Sequence, residues 1–192
     1  MKCDLCKDQI CYQGKSCLKD GGNAVELYEA EDRKLHRVAA LIEGSYYMKK
    51  TRVEELILFS LEMGYERLGV AFCIGLKEEA AVLCSYLRTH FEVFSVCCKI
   101  CGISKDQLNL KKIIEDKDEV MCNPIFQAKK LAECRTDLNV TVGLCIGHDI
   151  LFNRHSKAPV TALVVKDRVL AHNPVGAIYT RYYRKIIGSP EK

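Results

Sequence analysis

The chain of 192 residues has no tryptophan, only four prolines, and no apolar run approaching the ~18 residues of a membrane span. No membrane association is therefore expected. The stretch Met1-Lys2-Cys3-Asp4-Leu5-Cys6 lacks the apolar centre of a secretory signal. Charge of one sign is also scarce. Twenty-nine Lys and Arg stand against 25 Asp and Glu, a net +4, too mild for a nucleic-acid footprint unless gathered on one face. There is no complete G-x-G-x-x-G or phosphate-loop pattern to bind a nucleotide, no internal repeat and no low-complexity tract. Apolar residues at 48% and charged residues at 28% describe an ordinary globular chain.

What is abundant is cysteine: 12 of 192 residues, about 6%. A chain of this length buries a full core and has no need of disulfide staples. With no export signal in view, a cytoplasmic, reducing location is expected. There, many thiols indicate metal or thiol chemistry rather than disulfides.

Three regions are expected. Residues 1–23 form a Cys-rich metal-binding knot ending in the loop Asp20-Gly21-Gly22-Asn23. Residues 24–64 form a helical hairpin. Its first helix carries Leu35, Val38, Ala39, Ile42 and Tyr46 on one face. Its second opens on the capping box Thr51-Arg52-Val53-Glu54 and closes at Gly64. Residues 65–188 form an α/β domain with a mostly parallel, Rossmann-like sheet and flanking helices. Strands are predicted near 68–73, 91–97, 139–145 and 159–166, and helices over 78–89, from 104 towards 115, and over 124–135. Val169–His172 reads as an antiparallel partner of the fourth strand, Asn153–Ser156 as a polar loop, and Ala177–Ile187 as a last strand or helix.

Two cysteine constellations emerge. Cys3-x2-Cys6-x4-Cys11-x5-Cys17 sets four thiols within 15 residues. A pair two residues apart can clasp one ion in a tight turn, and a second pair completes a tetrahedral thiolate site. Zinc is the first choice and an iron–sulfur cluster the alternative. Few apolar side chains lie in this segment, so bound metal would supply its fold.

The second constellation follows from topology. Cys73 ends the first strand, Cys97 and Cys98 the second, and Cys145 the third, followed by His148 and Asp149; Cys122 precedes a helix. In an open parallel sheet the carboxyl ends of the strands share one edge, where ligands bind. Cys73, Cys97, Cys98, Cys122, Cys145 and His148 are thus candidate metal ligands. Alternatively, Cys98 or Cys145 is a nucleophile with His148 as base and Asp149 as its orienter, or Cys98 and Cys101 cycle as a redox dithiol. A third reading is a small-molecule-binding module with a structural metal knot. Cys84 and Cys134 read as core.

Taken together, the N-terminal cluster, Ser95-Val96-Cys97-Cys98-Lys99, Cys122-Asn123-Pro124-Ile125, Gly143-Leu144-Cys145-Ile146-Gly147-His148-Asp149, Lys166-Asp167-Arg168 and His172-Asn173-Pro174 resemble a family of prokaryotic proteins described as uncharacterised metal-binding proteins, a domain of unknown function. The resemblance covers nearly the whole chain. It implies metal binding and no particular reaction.

Overall fold

A computed structural model describes residues 1–18 and 23–188. The predicted loop residues 20–22 lie outside the described residues. Two helices, α1 (Ala30–Tyr46) and α2 (Arg52–Met63), precede the sheet. Val38 and Ile42 of α1 are buried against Met63 of α2, with Leu35 and Tyr46 beside them, so the apolar stripe of α1 is its packing face. The capping box at Thr51 is fully formed: its side chain accepts from the Glu54 N–H, and the Glu54 carboxylate accepts from the Thr51 N–H at 2.9 Å. Thr51→Ala should cost about 1 kcal/mol and lower Tm by about 3 °C. A thermal melt in which Tm does not move would show that packing alone holds this helix end.

The sheet has four parallel strands, β1 (Arg67–Phe72), β2 (Glu92–Cys97), β3 (Leu138–Val142) and β4 (Val160–Val164), in the order β2-β1-β3-β4. Helix α3 (Lys77–Leu87) joins β1 to β2, α4 (Pro124–Glu133) lies between β2 and β3, and α5 (Ile146–His155) between β3 and β4. The chain moves outward from β1 to β2, then returns past β1 to β3. Right-handed crossovers in opposite directions place their helices on opposite faces. Accordingly, Leu68, Val70, Val140 and Val142 pack with Leu56 of α2 and Leu83, Cys84 and Leu87 of α3. On the other face Ala71 packs with Ala128 and Leu131 of α4 and Phe152 of α5. Every residue of β3 is buried, as a strand covered on both faces requires.

Several expectations are corrected. Val169–His172 is no strand: the Asp167 carboxylate accepts from the N–H groups of Val169 and Leu170 at 2.9 and 2.8 Å, and Ala171 and His172 take positive φ. The side chain captures the donors a strand would offer its neighbour. Asn153–His155 belongs to α5, not to a loop. The third strand stops at Val142, so Cys145 caps α5 instead of ending β3. The predicted helix at 104 is a single 3-10 turn over Lys105–Leu108, ended by Asn109 in the left-handed region. Residues 177–187 fall in two short helices, α6 (Val175–Tyr179) and α7 (Arg181–Ile187). Cys84 is core, whereas Cys134 is a half-buried helix end.

Candidate thiolate centre at the strand ends

Ladder hydrogen bonds carry the sheet one residue beyond its strands. The Cys73 N–H donates to the Val142 carbonyl at 3.0 Å, and the Cys98 N–H to the Phe72 carbonyl at 2.8 Å. Both cysteines are thereby fixed at the carboxyl edge. The Asn123 N–H donates to the Cys98 carbonyl at 2.8 Å, which brings Cys122 alongside, while the Asn123 side chain accepts from the Phe126 N–H and starts α4. Cys145 is the N-cap of α5, its carbonyl accepting from the N–H groups of His148 and Asp149. His148 therefore stands in the first turn of that helix.

The side chains form a continuous series. Cys98 contacts Cys73 and Cys122, Cys122 contacts His148, and His148 contacts Cys145. Two cations extend it: Lys166 reaches Cys73, and the Arg168 Nη2 donates to Cys145 Sγ at 3.0 Å. Cys98 is the hub. It is 1% exposed, and its sulfur also accepts from the Ile74 N–H at 3.3 Å.

These contacts set the protonation. Hydrogen bonding to Cys122 and Cys73, with burial, pushes the Cys98 thiol up, so it keeps its proton. The Cys98 hydrogen bond, then His148, brings the Cys122 thiol down to about 4. The same thiol, then the Gly75 N–H and Lys166, brings Cys73 down to about 5. One S–H proton serves only one acceptor at a time, so the two depressions compete. His148 is raised, by Cys122 first and Cys145 next, despite burial. Cys122 and His148 thus form a pair in which each favours the charged form of the other.

A pH dependence follows for the reduced, metal-free protein. The folded value at Cys122 lies below the unfolded one, about 8.5. Its contribution to stability is complete above about 8.5 and is lost as pH falls through about 4. Peptide-mapped alkylation of Cys122 should hold its rate from pH 8 to about 5. A free thiol loses about tenfold per unit over that range. A tenfold loss per unit at Cys122 would contradict the pairing.

The structure thus brings together Cys73, Cys98, Cys122, Cys145 and His148 of the predicted set. Cys97 stands apart, its sulfur accepting from the Lys99 N–H at 3.5 Å. Cys101 is exposed, so the C-x-x-C pair divides between the cluster and the surface. The Asp149 carboxylate makes no hydrogen bond to His148 among the described residues; the ring has thiol partners instead. Cys3, Cys6, Cys11 and Cys17 are all exposed, Cys3 and Cys11 on two 3-10 turns, Cys6 capping the first and Cys17 beyond the second. The sequence alone does not single out Lys166 or Arg168 as site residues; their signal is the tripeptide Lys166-Asp167-Arg168 just past β4.

Four thiols and an imidazole are the soft donors that zinc or an iron–sulfur cluster takes. Their arrangement is a series of pairwise contacts. Among the described residues, no group of three or more His, Cys, Asp or Glu side chains is disposed to hold a metal ion as it stands. All twelve cysteines are free. No helix among the described residues is long and apolar enough to cross a membrane.

Fold and site define a doubly wound α/β protein with a thiol and imidazole cluster at the carboxyl edge of its sheet. The chain belongs to the family described as "Protein of unknown function (DUF1847)", whose model matches residues 15–163. That span holds Cys73, Cys98, Cys122, Cys145 and His148, but not Cys3, Cys6 or Cys11. The chain is 57% identical over 187 residues to "Uncharacterized protein MJ0455" of Methanocaldococcus jannaschii, covering 96% of this chain and 97% of that one. No solved structure matches.

Proposed function

We propose that the chain is a metal-binding protein whose principal centre is the thiolate cluster at the strand ends. The observation that carries this reading is the contact series Cys73–Cys98–Cys122–His148–Cys145, assembled from four separate segments of chain. Buried and half-buried thiols gathered from distant segments need a reason beyond packing. Cys73, Cys98, Cys122 and Cys145 would hold the ion, with His148 as a further donor. Zinc is the first choice, supplying Lewis acidity or a structural clasp, and an iron–sulfur cluster, supplying electron transfer, is the alternative.

Cys3, Cys6, Cys11 and Cys17 form a second, N-terminal site in this reading. Its support is that every residue from 1 to 18 except Ile10 is exposed. The segment has no core of its own, and structural zinc contributes on the order of 10 kcal/mol to such peptides. The test is purification without oxygen, followed by metal and acid-labile sulfide determination. About one ion per site is expected. Sulfide with a brown colour selects the cluster, and less than about half an equivalent of any transition metal per chain overturns the proposal.

A second reading is favoured by one contact. With His148 against Cys122, the metal-free centre is a nucleophile–base pair. The nucleophile in this reading is Cys122 rather than Cys98, which is buried. Fast alkylation of Cys122 in a protein that never takes up metal selects this reading.

A further inference from the structure

The sheet order β2-β1-β3-β4 sends the chain away from β1 and β3 in opposite directions. The loops after those strands, beginning at Cys73 and at Gly143, therefore diverge at the switch point, where open α/β sheets place their ligand crevice. Its rim is open to solvent: Ile74, Gly75, Ile146 and Gly147 are all exposed, and a Cβ added at Gly147 would meet no atom within 4 Å. Gly143 takes φ +64, and a Cβ there would stand 2.1 Å from the Leu76 Cδ1, which packs between the two loops, and 3.5 Å from the Lys166 Cε; a Cβ on Gly75 would stand 3.8 Å from the Lys166 Nζ. The Lys166 side chain thus reaches both loops of the crevice.

Arg168 closes the same side, its Nη2 on Cys145. Asp167, between the two cations, is engaged in its own turn with Val169 and Leu170. Among the described residues, neither Lys166 nor Arg168 forms an ion pair with a carboxylate. Arg168 is exposed and has further N–H donors in a planar fork, which suits the paired oxygens of a carboxylate or phosphate. Two cations with no carboxylate partner, each set against a sulfur of the cluster at the open edge of the sheet, constitute recognition for an anion.

We infer that the crevice takes a small oxyanion-bearing ligand, held by Lys166 and Arg168 so that its neighbouring atoms lie against the thiols of Cys73 and Cys145. The inference rests on reading the strand-end cluster as the functional centre, and it adds the substrate class: a small acid whose carboxylate or phosphate is the handle.

The test is calorimetric titration of the full chain, purified without oxygen, with inorganic phosphate and with acetate at constant ionic strength, with metal content measured on each sample. Saturable binding of at least one probe is expected, and the probe that binds assigns the handle. Lys166→Ala and Arg168→Ala should each weaken binding about tenfold or more, with metal content measured on each variant. Lys157→Ala, an exposed lysine at the opposite end of β4, should change neither. No saturable binding by the wild type overturns the inference. So does binding that both substitutions leave intact, which is an adventitious ion only. So does loss of metal and anion together in both variants, which assigns the cations to the metal. Anion binding that depends on Lys166 and Arg168 in a chain without metal upholds this inference while the metal proposal fails. Metal without anion binding gives the reverse.

Discussion

Serine at both 98 and 122 is expected to reduce metal at the strand-end centre to about a tenth of the wild-type content or less, because two of its thiolate donors are lost. Cys98 contacts both Cys73 and Cys122, so its loss divides the series at its middle. Serine is close to cysteine in size, but its hydroxyl does not ionise near neutrality and is a poor ligand for a soft metal. The change therefore tests chemistry more than packing. Cys101→Ser, at an exposed position three residues away, should leave the content intact. Because Cys98 is buried, the double variant should also be checked by urea unfolding; an unchanged m-value shows that the fold survived. Full metal content in a folded double variant would place the metal elsewhere.

Gly69→Ala should produce the largest loss of stability. Gly69 lies in β1, paired with Asn139 of β3. An added Cβ would stand 2.0 Å from Asn139 Oδ1 and 2.9 Å from Leu131 Cδ1. Asn139 has little freedom to yield. Its Oδ1 accepts from the Thr136 hydroxyl at 2.8 Å and its Nδ2 donates to the Ser156 hydroxyl at 2.8 Å, in a buried network. The methyl must break those hydrogen bonds or part the sheet from α4. Overpacking with loss of buried hydrogen bonds costs about 3 kcal/mol, a fall in Tm of about 10 °C for a domain of this size. A calorimetric melt within about 2 °C of wild type would mean that the interior is looser than these contacts imply.

The helices and strands that could be read from the chain are those whose local signals agree with their packing. The stripe Val38–Ile42, the capping box at Thr51, the apolar run Leu68–Phe72 and Pro124 at a helix start each serve locally as they do in the fold. Helix α5 was hidden because it has no apolar stripe: Ile146 and Ile150 are exposed, and only Phe152 is buried. Val169–His172 misled for the opposite reason, an apolar run whose backbone donors the Asp167 carboxylate takes.

The cluster was largely legible because parallel strand ends share an edge whatever the side chains are. Its limits are also physical. Cys97 ends β2 while Cys98 begins the turn after it, and only Cys98 joins the series. The pairing of His148 with Cys122 was not legible, since it depends on how α5 packs beside the start of α4. Lys166 and Arg168 were passed over because Lys-Asp-Arg after a strand reads equally well as a turn.

The most direct test is an anomalous-scattering crystal structure of the protein purified without oxygen. Metal, or the iron of a cluster, is expected within about 2.3 Å of at least two sulfurs among Cys73, Cys98, Cys122 and Cys145. A strand-end cluster that stays metal-free, with ions confined to Cys3, Cys6, Cys11 and Cys17 or absent altogether, would contradict the assignment.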